Sequence, residues 1–250
     1  MHRYGLIGRN ISYSFSRGFF REKFQKLGLD DHSYENFDLD AIGDFPGLLR
    51  ENPDLRGLNV TIPYKQAVMP YLGRIDPEAA RIGAVNTICF RDGTTSGHNT
   101  DVTGFRESLR PLLRSGDHSA LILGTGGASR AVAYALDQLG IGYRYVSRNP
   151  SGERLGYHQL DASILAGVQV IVNCTPLGTH PEIEKHPDLP YDALGPAHLL
   201  YDLIYNPERT EFLSRGLSRG TRIKNGLEML QIQAEHAWKL WTATGASGQP

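Results

Sequence analysis

A glycine-rich turn is the part of this 250-residue chain whose residue types and spacing best fit a chemical role. The apolar residues 119–123 precede the sequence GTGGAS at 124–129, and a segment with helical periodicity follows. This order predicts a dinucleotide site, because Gly124 permits a tight bend and Gly126 lets the backbone approach a pyrophosphate at the helix N-terminus. A glycine pattern alone also fits a structural turn, and the third fingerprint position carries Ser129 instead of glycine.

The residues after the next apolar run bear on which dinucleotide would bind. An NAD site places Asp or Glu about 20 residues after the turn, where it holds the ribose 2′-hydroxyl. Here residues 143–146 lead into Ser147, Arg148 and Asn149, with no acid at the tip. A permanently charged, planar arginine can bind a 2′-phosphate through two hydrogen bonds, so Arg148 favours NADP over NAD. The other interpretation is that Arg148 is a solvated surface arginine, since Glu153 lies close enough in the sequence to be the acid that an NAD site requires.

Two polar segments of the first half have both a chemical and a structural interpretation. Lys65 follows the strand-like sequence NVTIPY, and composition alone favours a charge on the surface. Asp101 ends the sequence NTD after a predicted hairpin, where it or Thr100 fits the N-cap of a helix predicted over 102–113. The residue types alone leave both interpretations open.

Hydroxyl and amide side chains mark two further segments. Ser12, Ser14 and Ser16 would face one way in an extended chain, and they equally fit a polar turn or a helix cap. The sequence NCTPLG at 173–178 follows a predicted strand, and ligands bind at the carboxyl edge of open α/β sheets.

Short apolar runs and amphipathic segments alternate along nearly the whole chain and must position these groups. In the second half, strands are predicted at 119–123, 143–147, 168–173 and 198–203. Strands that alternate with helices imply parallel pairing through right-handed crossovers, and hence an open α/β sheet. The first hundred residues predict another α/β unit, with strands at 4–7, 32–37 and 57–61 and a helix at 16–27. Residues 83–97 predict a hairpin with an Asp92-Gly93 turn. A last helix over 227–241 has an apolar stripe of Leu227, Leu230, Ala234, Trp238 and Trp241. Met229 and Ile232 fall off this stripe, which leaves open a helix covered on two sides, and 245–250 form a loose tail.

Composition excludes several classes of protein. Lysine and arginine total 26 against 27 acidic residues, so no basic excess favours nucleic acid. No stretch approaches the ~18 apolar residues of a spanning helix, and we expect no membrane partner. Cys89 and Cys174 lie far apart, and the histidines show no metal spacing, so neither a disulfide framework nor a metal site is expected. The start leads directly into a strand-like run without a signal peptide, and we expect a cytoplasmic protein.

Nine segments together resemble the shikimate dehydrogenase family, in that family's order and along almost the entire chain. They are GRNISYSFS (8–16), NVTIPYK (59–65), GAVNT (83–87), GHNTDVTGF (97–105), GTGGA (124–128), SRN (147–149), NCTPLG (173–178), YDLIYNP (201–207) and GLEMLQIQA (226–234). The resemblance implies two α/β domains. Residues 1–101 plus 226–250 would form an N-terminal substrate-binding and catalytic domain, and 102–225 a C-terminal Rossmann-like NADP-binding domain.

The resemblance also implies a reaction, the reversible NADPH-dependent reduction of 3-dehydroshikimate to shikimate in chorismate and aromatic amino-acid biosynthesis. It assigns residues that match the family's motifs to six roles. The catalytic pair would be Lys65 and Asp101. The substrate carboxylate would be held by Ser14 and Ser16, with Tyr205 nearby, and the ring hydroxyls would be bound by Thr61, Asn86, Asp101 and Gln233. In the cofactor, the pyrophosphate would be bound by Gly124, Gly126, Gly127 and Ala128, the 2′-phosphate by Ser147, Arg148 and Asn149, and the remainder by Thr175, Leu203 and Gly226.

The chain departs from the family's usual residues at several positions. Asn10, Tyr13 and Arg17 stand where the family usually has Pro, His and Pro, which predicts a reshaped loop that still binds the carboxylate. The usual Asn-Arg-Thr tip is altered at both flanks, with Ser147 and Asn149, while Arg148 stays.

Two other functions and two oligomeric states stay open. A quinate/shikimate dehydrogenase that uses NAD would be expected to carry an acid at the tip after residue 146. A non-catalytic ligand-sensing relative would not need both Lys65 and Asp101. A small-molecule substrate is expected for either of the two dehydrogenase functions. The oligomeric states left open are a monomer and a homodimer.

Overall fold

The computed structural model describes residues 1–11 and 14–243, and it divides into two compact units. One unit comprises Met1–Thr100 and the chain from Gln233 onward, and the other comprises Asp101–Ile232. The expected ranges instead placed Asp101 and residues 226–232 with the first unit. Ser12, Tyr13 and the tail predicted over 245–250 lie outside the described residues.

A mixed sheet of six strands organises the described part of the first unit. Its elements in chain order are β1 (His2–Gly8), α1 (Phe15–Leu27), β2 (His32–Asp38), α2 (Phe45–Glu51), β3 (Leu55–Val60), α3 (Tyr64–Ala67), β4 (Arg74–Ile75), α4 (Pro77–Ile82), β5 (Thr87–Arg91) and β6 (Thr94–His98). The strand order is β2-β1-β3-β5-β6-β4. β2 and β3 pair in parallel with β1, and β5 is antiparallel to both β3 and β6. The strands and the α1 helix predicted for this half are confirmed.

The predicted hairpin is confirmed, but its first strand is shorter than the sequence pattern indicated. Asp92 and Gly93 have φ values of 50° and 71°, as the two-residue turn requires. β5 begins only at Thr87, because Gly83 adopts a left-handed conformation as the C-cap of α4. Asn86 therefore lies in irregular backbone just before a strand, and not within one.

A parallel sheet of six strands forms the second unit, residues 101–232. Its elements are α5 (Asp101–Leu109), β7 (Ser119–Leu123), α6 (Gly127–Gln138), β8 (Gly142–Ser147), β9 (Leu155–Gly156), α7 (Ala162–Ala166), β10 (Val170–Asn173), β11 (Leu199–Asp202), α8 (Glu211–Leu217), β12 (Arg222–Lys224) and the start of α9 (Leu227–Thr242). The order β9-β8-β7-β10-β11-β12 is that of a Rossmann sheet, with the change of direction between β7 and β10. The open parallel α/β sheet predicted for this half is confirmed.

The apolar stripe predicted for the last helix is wrong in its first turns. Leu227 is exposed, whereas Met229, Gln233, Ala237 and Trp241 are buried. These four residues follow one another at intervals of four, which places them along one face of α9. This face contains Met229, which fell off the predicted stripe, and Gln233, which hydrophobicity does not mark as buried.

None of the helices in the described ranges is long and apolar enough to span a bilayer.

The packing of Gly57 against Trp241 gives a prediction for stability. A Cβ atom on Gly57 would lie 2.2 Å from Nε1 of Trp241, a buried indole that donates a hydrogen bond to the Ile88 carbonyl over 3.0 Å. We expect Gly57→Ala to lower the free energy of unfolding by about 2 kcal/mol or more, because the indole must shift within a packed core. Denaturant unfolding measures the change.

Gly18→Ala is the matched control, since a Cβ on Gly18 would meet no described atom within 4 Å and the residue lies inside α1. That substitution should stabilise the protein slightly. Equal stabilities for the two variants would contradict the packing argument.

Candidate functional site

A network of buried polar side chains lies where the first unit's β3 and β5 meet the irregular segments beside them. Its members, each at most 7% exposed, are Tyr34, Asn59, Asn86, Thr87, Thr100 and Gln233. Buried polar groups are stable only when they are hydrogen-bonded, so each member constrains the positions of its neighbours.

Asn86 is at the centre of this network. Its Oδ1 accepts from the Thr100 amide over 2.7 Å and from Thr87 Oγ1 over 3.0 Å. Its Nδ2 lies 3.1 Å from Thr100 Oγ1 and 3.5 Å from Gln233 Oε1. The network therefore brings together Asn86 and Gln233, which are distant in sequence and were both expected to bind ring hydroxyls.

Asn59 is hydrogen-bonded to the backbone of Asn86, and Tyr34 is hydrogen-bonded to Asn59. The sequence analysis assigned no role to either residue. The Tyr34 hydroxyl donates to Asn59 Oδ1 over 2.8 Å, and Asn59 Nδ2 donates to the Asn86 carbonyl over 3.3 Å. Burial raises the pKa of Tyr34 far above its usual range, and a hydrogen bond with Ser16 opposes that rise. The signal that could have found Asn59 is an amide inside an otherwise buried strand.

The segment from Thr61 to Lys65 leaves β3 beside this network. The Thr61 amide donates to the Ile7 carbonyl over 2.9 Å, so the residue that follows β3 is still hydrogen-bonded to β1. The carbonyl of Lys65 accepts from the Val85 amide over 2.7 Å, so the short helix α3 is attached to the residue preceding Asn86. The Lys65 side chain is half-buried, which differs from the exposed position expected of a simple surface charge.

Ser14 is the N-cap of α1, as one of the two interpretations of the serines predicted. Its hydroxyl accepts from the Arg17 amide over 3.3 Å. A hydroxyl that accepts one hydrogen bond can still donate its proton to a carboxylate, so capping is compatible with the expected binding role.

Asn10, which follows β1, has an unusual backbone conformation. Asn10 has φ of 57°, a left-handed conformation that proline cannot adopt. The amides of Asn10 and Ile11 donate to the Asp38 carboxylate over 2.9 and 3.2 Å. Proline at position 10 would not fit this conformation, and the reshaped loop expected from Asn10, Tyr13 and Arg17 stays a prediction.

The glycine turn of the second unit has the geometry that a pyrophosphate site requires. Gly124 has φ of 99°, and its Cβ would lie 3.0 Å from Thr175 Cγ2, so both conformation and space favour glycine. Gly126 is the N-cap of α6, and a Cβ there would meet no described atom within 4 Å. Ser129 is fully buried and donates to the Gly126 carbonyl over 2.7 Å, which explains why a small hydroxyl residue fits the third position.

Gly127 and Ala128 begin α6, so their amides lie in its first turn, where a helix can bind an anion. Ser147 ends β8, and its hydroxyl accepts from the Asn149 amide over 3.2 Å, which fixes the turn at that tip. Arg148 and Asn149 are exposed there. The turn and the tip lie at the carboxyl ends of the neighbouring parallel strands β7 and β8, the edge at which open α/β sheets bind ligands.

The carboxyl ends of β10 and β11 carry a second buried network. Asn173 and Asp202 are paired in the parallel register, and Asn173 Nδ2 donates to Asp202 Oδ1 over 3.1 Å. Burial raises the pKa of Asp202 to about 7, although hydrogen bonds from Thr210, the Ile204 amide and Asn173 oppose this. Thr175 donates its hydroxyl to Asn173 Oδ1 over 2.7 Å. The sequence analysis identified Thr175 but not Asp202, whose signal was an acid inside an apolar strand.

The predicted site residues are distributed between the two units. The first unit holds Ser14, Ser16, Thr61, Lys65, Asn86 and Gln233, and the second holds Asp101, Tyr205 and the residues expected to bind the cofactor. Asp101 is buried as the first residue of α5, so Thr100, rather than Asp101, is in the position to be the N-cap. Tyr205 is half-buried after β11. Within the described ranges, no group of three or more His, Cys, Asp and Glu side chains could hold a metal ion.

Known proteins resemble this chain in sequence and in fold. The family model for the shikimate dehydrogenase substrate binding domain matches residues 6–88. Shikimate dehydrogenase (NADP(+)) of Desulforamulus reducens is 38% identical over 95% of this chain and 89% of its own length. The enzyme named Shikimate dehydrogenase (NADP(+)) of Moorella thermoacetica is also 38% identical, over 96% of this chain and 88% of its own.

Solved structures agree with these relatives. Shikimate 5-dehydrogenase of Thermus thermophilus, solved in complex with NADP(H) and shikimate, is 33% identical with a TM-score of 0.86, over 98% of this chain and 94% of that one. Quinate dehydrogenase of Corynebacterium glutamicum, solved in complex with NAD, is 28% identical with a TM-score of 0.85, over 97% of this chain and 94% of that one. With relatives more than 30% identical over nearly its whole length, this chain belongs to the shikimate dehydrogenase family.

Proposed function

We propose that this protein catalyses the reversible reduction of 3-dehydroshikimate to shikimate by NADPH, a step of chorismate and aromatic amino-acid biosynthesis. The observation that carries the proposal is the buried network that unites Asn86 and Gln233 beside the Lys65 segment. These residues lie in the unit that contains the match to a substrate-binding domain. Amide and hydroxyl side chains held in this way can recognise a polyhydroxylated ring.

The second unit would hold the cofactor in two parts. Gly124, Gly126, Gly127 and Ala128 would bind the pyrophosphate through backbone N–H groups, and Ser147, Arg148 and Asn149 the 2′-phosphate. Thr175, Leu203 and Gly226 would contact the remainder. When bound, the cofactor supplies the hydride, and the protein supplies position and a proton.

The residues that match the family's substrate and catalytic motifs would hold the substrate and deliver the proton. Ser14 and Ser16, with Tyr205, would bind the carboxylate, and Thr61, Asn86, Asp101 and Gln233 the ring hydroxyls. The Lys65 ammonium would donate its proton to the carbonyl oxygen as that oxygen gains negative charge. Asp101 would orient Lys65 and accept a hydrogen bond from a substrate hydroxyl. We propose that residues 1–101 plus 226–250 form the substrate-binding and catalytic domain and that residues 102–225 form the NADP-binding domain.

We also propose a cytoplasmic location and a small-molecule substrate as the principal partner. The two cysteines, Cys89 and Cys174, are both free thiols, as is usual in a reducing compartment. The formal charge of −1 provides no basic surplus for nucleic acid. The protein would act as a monomer or a homodimer.

The alternative is a quinate/shikimate dehydrogenase that uses NAD. The similarity to the quinate dehydrogenase of C. glutamicum favours it, whereas an exposed Arg148 at a tip without an acid favours NADP. A non-catalytic relative that senses ligands is a third candidate, and the presence of both Lys65 and Asp101 disfavours it.

Absorbance at the NADPH band tests these functions directly. Purified protein is given shikimate with NADP and with NAD, and then quinate with each. We expect rapid reduction of NADP on shikimate alone. Comparable rates on quinate or with NAD would move the protein to the broader alternative, and no turnover despite tight NADP binding would favour the sensor.

Substitution of Lys65 tests its role in the chemical step. We expect Lys65→Ala to lower kcat ~100-fold or more with a small change in KM, which is usual for the loss of an acid–base group. Lys239→Ala is the control, because Lys239 is an exposed lysine of the same unit. A Lys65 variant with normal kcat would remove this residue from the mechanism.

Substitution of Arg148 tests how the two cofactors are distinguished. We expect Arg148→Ala to raise KM for NADP ~10-fold or more and to leave KM for NAD unchanged, since only NADP carries the phosphate that the guanidinium would bind. Arg144→Ala is the control, because Arg144 is an exposed arginine on β8, the strand that precedes Arg148. Equal losses for both cofactors would contradict the assignment.

A further inference from the structure

Asp202 is a fully buried carboxylate at the carboxyl end of β11, and the resemblance assigns it no role. Its Oδ1 accepts from Asn173 Nδ2 over 3.1 Å and from the Ile204 amide over 3.0 Å. Its Oδ2 accepts from Thr210 Oγ1 over 2.6 Å. Burial of a carboxylate is costly, so a carboxylate in this position requires a compensating structural or functional gain.

The first hydrogen bond of Asp202 determines how the Asn173 side chain is oriented. The Asp202 Oδ1 atom acts only as an acceptor, and it therefore attracts the NH₂ group of the Asn173 amide. The carbonyl end of that amide then faces Thr175, whose backbone N–H and hydroxyl donate to Asn173 Oδ1 over 3.0 and 2.7 Å. If Oδ2 is protonated, its O–H group can donate a hydrogen bond to Thr210 Oγ1, so the orientation of Asn173 is unchanged.

The second hydrogen bond of Asp202 stabilises the segment that follows β11. The Ile204 amide donates to Asp202, and the Ile204 carbonyl accepts from the Gly226 amide over 3.0 Å. A Cβ on Gly226 would lie 2.1 Å from the Leu203 carbonyl oxygen, so these two backbone segments touch. Through two hydrogen bonds at one oxygen atom, Asp202 is linked to Thr175, Leu203 and Gly226.

The position in the sheet indicates which half of the cofactor these residues would meet. Each half of a Rossmann sheet takes one mononucleotide, and the two halves meet at the change of strand direction. The glycine turn and Arg148 belong to β7–β9 and would take the adenosine half. Asp202 and its neighbours belong to β10–β12, the half that would take the nicotinamide mononucleotide.

We propose that Asp202 is a positioning residue that sets the conformation of the two loops expected to contact the nicotinamide half of NADP. This inference depends on the proposed function, because it assumes that NADP binds at this edge of the sheet. It adds a residue that does not touch the cofactor and acts through Asn173 and the Ile204 amide.

Two probes separate a local effect from a general loss of structure. NADP occupies both halves of the site, whereas adenosine 2′,5′-bisphosphate reaches only the adenosine half. We expect Asp202→Ala to raise the Kd of NADP ~10-fold or more and to leave the Kd of the bisphosphate unchanged. Asp202→Asn should stay within ~3-fold of the original protein, because its amide oxygen can still accept from Asn173 and Ile204 while its NH₂ donates to Thr210. Asp192→Asn, at an exposed aspartate of the same unit, is the control.

A double-mutant cycle locates the effect. Thr175→Val should raise the Kd of NADP severalfold, and the Asp202→Ala/Thr175→Val double variant should bind no more weakly than Asp202→Ala alone. If Asp202→Ala fails to fold, Asn173→Ala replaces it in the cycle and should give the same lack of additivity with Thr175→Val.

Each result bears on a different claim. An unchanged Kd of NADP in Asp202→Ala, or a double variant whose loss is the product of the single losses, would overturn the positioning role. An equal loss of NADP and bisphosphate binding would also overturn it. Failure of the unsubstituted protein to bind either probe would overturn the proposed function itself.

Discussion

The hydrogen bonds of the Asn86 amide are the interaction on which the first unit's site depends. A buried amide needs acceptors for its NH₂ group and donors for its oxygen, and Asn86 finds them on Thr87, Thr100 and Gln233. These partners come from a strand, from the start of a helix and from the last helix. The need to satisfy one side chain therefore fixes three elements at one point, and Lys65 is attached to the same point through Val85.

The second unit meets the same requirement at the edge of its parallel sheet. Strands that run in parallel end together, so the side chains of Asn173 and Asp202 lie next to each other once the register is set. In the low dielectric of the interior, each of these groups is costly without its partner. This is why a carboxylate can be held where burial raises its pKa to about 7.

Glycine occupies positions where neighbouring groups lie too close to leave space for a side chain. Gly124 adopts a left-handed conformation with tight space beside Thr175, a Cβ on Gly57 would clash with the Trp241 indole, and a Cβ on Gly226 would clash with the Leu203 carbonyl. Polar networks fix the distances between elements, and these glycines permit the close distances that result. The open space above Gly126 has the opposite meaning, because it leaves the first turn of α6 accessible to an anion.

Local patterns in the sequence determined the longer strands of both sheets, the Asp92-Gly93 turn and the glycine turn before α6, because these features depend on neighbouring residues. The short strands β4, β9 and β12 were not predicted. The family's motifs added the residues expected at the site. Only the tertiary structure decided that Asn59, Tyr34 and Asp202 support those residues, because their partners are far away in sequence. It also corrected the buried face of α9, where Gln233 is buried because Asn86 and Thr100 satisfy its amide. Hydrophobic periodicity cannot predict such a position, since a polar side chain becomes a core residue only when the fold supplies its hydrogen bonds.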